Sequence, residues 1–155
     1  MKNTMTLKSK VIALLMCILV FGCDGSRLFE KYQGMETGSW NVIDTVSFDL
    51  PKIPESHKTI VGVKYNSDYE FRNLYLTYLL KDSLNQIIES QLLEIPLFDN
   101  KSGKPLGSGF GNTFTKYDTL PLLTNRPYSK IQFLQYMRVD EIDGIEAVGV
   151  KVVRE

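Results

Sequence analysis

The side chains that could do chemistry are few. The chain of 155 residues has one histidine, His57, and two cysteines, Cys17 and Cys23; its other polar groups are carboxylates, amines, amides and hydroxyls. Two cysteines cannot form a four-thiolate zinc site, and one histidine excludes any site that needs two imidazoles. Glu55 and Ser56 stand beside His57, but neighbours in an extended loop point apart and form no proton relay by spacing alone. No nucleophile elbow accompanies them, so a hydrolytic centre on His57 is the weaker reading. No two carboxylates are singled out as a catalytic pair.

The loop Asp99 to Gly111 (DNKSGKPLGSGFG) is the most conspicuous segment. A phosphate cradle needs its glycines between a strand and a helix N-terminus; no helical pattern follows, so the glycines are read as a backbone with several positive-φ positions. Asp99-Asn100-Lys101-Ser102-Gly103 has a lysine where a calcium loop needs its third oxygen, which favours a turn. Asp140, Glu141, Asp143 and Glu146 around Gly144 are read as a solvated hairpin, with a divalent ion as the alternative. No metal or cofactor is therefore expected. Among the aromatics, Trp40 shares a face with Val42, Val46 and Phe48 and reads as core. Tyr75 and Tyr78 fall on opposite faces of one strand, so one of them is expected to be partly exposed. Tyr32 and Tyr117 are the better candidates for exposed contacts.

The elements that must position these groups follow from charge and periodicity. Eighteen basic and eighteen acidic side chains cancel, so no long-range field attracts a polyanion and nucleic-acid binding is disfavoured. The neutral total hides a split. Lys2, Lys8 and Lys10 precede the apolar run Val11 to Phe21, and Gly22-Cys23-Asp24 follows it. Eleven helical residues reach ~16 Å, half of a ~30 Å hydrocarbon core, which describes a signal peptide rather than a spanning helix. Val20-Phe21-Gly22-Cys23 resembles the lipobox of bacterial lipoproteins, in which the cysteine carries the lipid and becomes the mature N-terminus. Removing residues 1–22 leaves 133 residues with 15 basic and 18 acidic side chains, a net charge of −3. With Cys17 discarded and Cys23 lipidated, no disulfide is possible, and stability must come from a core that a chain of this size can build.

Residues 23–39 are polar with scattered glycines and are read as a lipidated N-terminus and tether. From Trp40 the period is two. Strands are predicted over Trp40 to Leu50, Thr59 to Tyr65, Leu74 to Leu80, Ile87 to Leu97, Thr113 to Leu120, Ser129 to Met137 and Ile145 to Val153, with no amphipathic helix. The expected fold is all-β, one antiparallel β-sandwich of jelly-roll or immunoglobulin-like kind over residues 40–155.

The order Cys23-Asp24, Tyr32-Gln33, Gly38-Ser39-Trp40, Asn73-Leu74-Tyr75-Leu76, Leu106 to Gly111, Gln135-Tyr136-Met137-Arg138-Val139-Asp140, Gly144-Ile145 and Val148-Gly149-Val150 resembles the gliding motility lipoprotein GldH family of the Bacteroidetes. The resemblance covers essentially the whole mature chain. It implies a lipid-anchored, palmitate-bearing envelope protein without enzymatic activity, an accessory of a gliding machinery tied to type IX secretion. The expected location is the outer membrane, on its periplasmic face, with protein partners in that apparatus. Only Cys23 carries over as a functional position. Arg138 beside Asp140 is expected to be a structural cation closing the last hairpin, with a partner contact as the alternative. A glycan- or peptidoglycan-binding sandwich is the alternative function.

Overall fold

The computed structural model describes residues 25–155. The expected signal peptide 1–22 and the expected lipidation position Cys23 lie outside the described residues. Among those described there are eleven strands and no helix. They are β1 (Arg27–Gly34), β2 (Ser39–Asn41), β3 (Val46–Asp49), β4 (His57–Asn66), β5 (Asn73–Lys81), β6 (Ile87–Pro96), β7 (Ser108–Phe110), β8 (Thr113–Thr119), β9 (Lys130–Gln135), β10 (Glu141–Asp143) and β11 (Ile145–Arg154). All pairings are antiparallel.

The strands form a five-stranded sheet in the order β1-β11-β4-β8-β7, a four-stranded sheet in the order β3-β9-β5-β6, and a small β10-β2 pair. Val61, Val63 and Tyr65 of β4 and Val148, Val150 and Val152 of β11 enter one core. They share it with Phe48, Leu74, Leu76, Tyr78, Leu80, Ile131 and Phe133 of the four-stranded sheet. Two sheets with one shared core make the sandwich that the alternation predicts. Complete burial of such side chains contributes ~1.5–3 kcal/mol each.

Four stretches differ from the sequence reading; two are short, β7 within the segment read as the glycine loop and β10 within the one read as a solvated hairpin, and two are larger. Trp40 to Leu50, read as one strand, is two strands in different sheets. Asn41 turns the chain between them: its carbonyl accepts the Asp44 amide at 3.0 Å and its side chain the Ile43 amide at 3.2 Å. An even number of turn residues preserves the parity, so Trp40, Val46 and Phe48 still point inward, while Val42 in the turn is exposed. Second, the tether expected over 23–39 contains β1, which pairs with β11 from Arg27↔Val153 to Gly34↔Ala147. Its own side chains lack a clean period of two because its burial comes from the far end of the chain.

Candidate functional site

His57 opens β4. Its Nδ1 donates to the Pro54 carbonyl oxygen at 2.7 Å, since that oxygen can only accept; Nε2 faces the Tyr128 hydroxyl at 2.8 Å. Tyr128 lies 2.5 Å from the Thr59 hydroxyl, and burial pushes its phenol up against the lowering effect of Thr59. Ser56 turns towards Glu155, at 3.5 Å, rather than towards the imidazole. The histidine thus holds the loop after β8 against β4, and the structure does not assemble Ser56 with it.

Glu89 does similar work in the four-stranded sheet. It is buried on the core face of β6, where it accepts the Tyr78 hydroxyl at 2.8 Å, the Leu123 amide at 3.1 Å and the Thr124 amide at 2.7 Å. A buried carboxylate is tolerated when several donors satisfy it. Burial, and then the neighbouring Glu89, hold the Tyr78 phenol well above its ordinary value.

The carboxylates near Gly144 do not converge. Glu141 accepts the Ser39 hydroxyl at 2.6 Å, while Glu146 accepts Asn66 Nδ2 and the Thr113 hydroxyl, each at 3.1 Å. No group of three or more metal-ligating side chains occurs among the described residues. Gly144 has φ 79° and lies against the backbone of Asp68 and Tyr69, leaving no room for a Cβ. In the glycine loop, Gly103 and Gly111 have positive φ, whereas Gly107 and Gly109 press on the β8 backbone. Asp99 makes the expected turn, accepting the Lys101 amide at 3.1 Å, the Ser102 amide at 2.8 Å and the Ser102 hydroxyl at 2.7 Å. Those bonds hold its carboxyl below the usual range.

The arrangement that offers contact to another molecule is a groove of about 460 Å³ lined by Phe71, Tyr75, Leu92, Tyr136, Met137 and Arg138. It is built from Gln135 outward. Gln135 is buried; its Oε1 accepts the Met137 amide at 2.7 Å and its Nε2 donates to the Val139 carbonyl at 3.0 Å. This clamps the turn after β9 and leaves Tyr136 65% exposed. The Tyr136 amide donates to the Tyr75 carbonyl at 2.8 Å, while the Tyr75 amide lies 3.3 Å from Met137 Sδ. Leu92, opposite Thr77 on β6, completes the outward face.

Tyr75 is therefore the half-buried member of its pair and Tyr78 the fully buried one. Trp40 is fully buried, its Nε1 donating to the Asp44 carbonyl at 2.9 Å. Tyr117 is 42% exposed, as expected. Tyr32, expected to be equally open, is half-buried against Gly62 and Gly149. Arg138 was read as closing the last hairpin, but no ion pair holds it among the described residues and it lines the groove instead. Phe71 and Leu92 were not singled out beforehand. The detectable signal was Leu92 on the face of β6 opposite to Glu89 and Ile95, among the polar Ser90 and Glu94.

The family model described as GldH lipoprotein matches residues 27–152. A protein of Flavobacterium johnsoniae named Gliding motility lipoprotein GldH is 26% identical over 162 residues, covering 96% of this chain and 98% of its own. A protein of Christiangramia forsetii named Gliding motility lipoprotein GldH homolog is 27% identical over 158 residues, covering 93% of this chain and 94% of its own. Among solved structures, the subviral particle of infectious bursal disease virus VP2 is similar at a TM-score of 0.36 and 11% identity. It covers 82% of this chain and 30% of that one, a likeness too slight to bear on fold or function. The family match begins at the first residue of β1 and ends two residues before the end of β11. It therefore takes in both sheets and the aromatic groove, and the chain belongs to the GldH lipoprotein family.

Proposed function

We propose that this protein is a non-catalytic, lipid-anchored component of the cell envelope that serves the gliding machinery associated with type IX secretion. In this reading Cys23 bears the lipid, the outer membrane holds the anchor on its periplasmic face, and the sandwich docks on other proteins of the apparatus. The observation that carries the reading is the family match over residues 27–152. A leader and lipobox are common to many unrelated lipoproteins, whereas this match lies entirely within the folded domain. Crosslinking in intact cells followed by purification of the protein tests it. Recovery of gliding or secretion components is expected, and consistent recovery of none of them refutes the assignment.

A second reading is favoured by one feature, the groove in which Tyr75 and Tyr136 flank Arg138. Aromatic faces with an adjacent guanidinium suit a glycan or peptidoglycan strand, which stacks on the rings and accepts hydrogen bonds. Titration with peptidoglycan fragments, followed by calorimetry, distinguishes it. Heat that disappears in Tyr136→Ala supports glycan binding, and no heat with the parent protein excludes it.

A further inference from the structure

Strand polarity gives the sandwich two unlike ends. Arg27 pairs with Val153 and Val153 with Lys58, so the start of β1, the end of β11 and the start of β4 share one end. The His57–Tyr128 bond joins that end to the loop after β8, and the Ser129 amide donates to the Lys81 carbonyl at 2.9 Å, which adds the β5–β6 turn. Phe110 and the aromatic groove are at the opposite end, beside the last residues of β4 and the first of β5.

The end that contains Arg27 carries three apolar side chains facing water: Leu84 at 77%, Leu123 at 74% and Ile87 at 57% exposure. They are held out by the backbone around them. Asp82 accepts the Leu84 amide at 2.9 Å and the Gln86 amide at 3.0 Å, fixing the turn, and Asn85 has φ 63°. Arg126 reaches Asp82 at 3.7 Å and so ties this turn to the loop after β8. Glu89 fixes Leu123 and Thr124 through their amides. Apolar tips on loops clamped by carboxylates do not fold back into the core.

We infer that this rim, with Leu84, Ile87 and Leu123, rests in the headgroup region of the membrane that holds the lipid, and that the aromatic groove is thereby turned away from it. The inference rests on the reading of Cys23 as the anchor. Only Asp24, Gly25 and Ser26 lie between Cys23 and Arg27, a reach of at most ~14 Å of extended chain. A ten-residue strand such as β4 is ~33 Å long; the short leash holds the Arg27 end near the surface, and the apolar rim at that end favours standing on it over lying on a sheet face. Each shallow apolar contact adds to attachment by a lipid chain, as apolar faces of interfacial proteins do. The contact also restricts tilting about the leash, which presents the groove at a constant height.

The test uses the lipidated full-length protein in vesicles of phosphatidylethanolamine and phosphatidylglycerol whose acyl chains are brominated close to the headgroup. Single variants Leu84→Trp, Leu123→Trp, Phe110→Trp and Tyr117→Trp are compared, with buried Trp40 as a constant background. Emission from positions 84 and 123 is expected to fall about twofold, the depth being that of interfacial side chains, while positions 110 and 117 are unaffected. A lipidated protein that co-sediments with the vesicles yet shows no quenching at 84 and 123 overturns the orientation alone. Quenching at 117 instead overturns it in favour of a protein lying on its five-stranded sheet. A purified protein whose mass lacks the lipid overturns the anchor and the orientation with it.

Discussion

Tyr32 of β1 lies across Gly149, its direct partner on β11, with its hydroxyl end over Gly62 on β4. Gly62 in turn pairs with Tyr117 on β8, so a row of tyrosine, glycine, glycine and tyrosine crosses four strands on the outer face. A Cβ on Gly149 would come within 2.5 Å of the Tyr32 ring. Lys64 Nζ covers the ring from above at 4.7 Å. The ring occupies the space that the two glycines leave, and this fastens β1 to the sheet.

Gly149→Ala should displace the ring and destabilise the domain by ~1–3 kcal/mol, as overpacking does. Urea denaturation measures it, and an unchanged midpoint would show that the ring is not seated in the slot.

Glu89→Gln replaces an acceptor oxygen with a donor that faces the amides of Leu123 and Thr124. The expected cost is ~1–3 kcal/mol, with faster protease cleavage in the loop after β8. Cleavage at the parental rate would mean that the loop is held by something other than this carboxylate.

Arg27 bonds Glu30 at 2.7 Å, and this contact, more than any other, holds the Glu30 carboxyl below its ordinary value. A depressed folded value means stability that is present above the unfolded value and is lost as pH falls through the folded one. The pair is partly exposed, so its contribution is below ~1 kcal/mol. In Arg27→Gln the Glu30 titration, followed by carboxyl NMR shifts, should move upward.

Tyr136→Ala and Arg138→Ala change exposed side chains and should alter stability by less than ~0.5 kcal/mol. If the groove is the docking surface, both variants should fail to restore colony spreading in a deletion strain while accumulating normally. Full restoration by both would place docking elsewhere.

Cys23→Ala should leave an unprocessed precursor or release the protein from membranes. Cell fractionation with mass analysis of the N-terminus checks this, and normal processing with continued attachment would refute lipidation at Cys23.

The strands β4, β5, β6, β8, β9 and β11 were legible in the sequence because alternate residues face one core, and that period survives whatever the strand pairs with; β7 and β10, of three residues each, are too short to show it. Val61, Val63 and Tyr65 announce their face without knowledge of β11. The basic leader and the cysteine after it are local patterns too. The change of sheet between β2 and β3 was hidden because the turn at Asn41 preserves parity. β1 was hidden because Tyr32 packs on Gly62 and Gly149, which lie on two other strands far from it in the chain, a burial that no local period encodes. The groove likewise joins Tyr75 and Tyr136 through one backbone bond between segments far apart in the chain. Composition and periodicity determined the two faces of each long strand. Long-range pairing alone decided which strand ends gather at the Arg27 end of the sandwich and which aromatics meet in the groove, because neither depends on any local pattern.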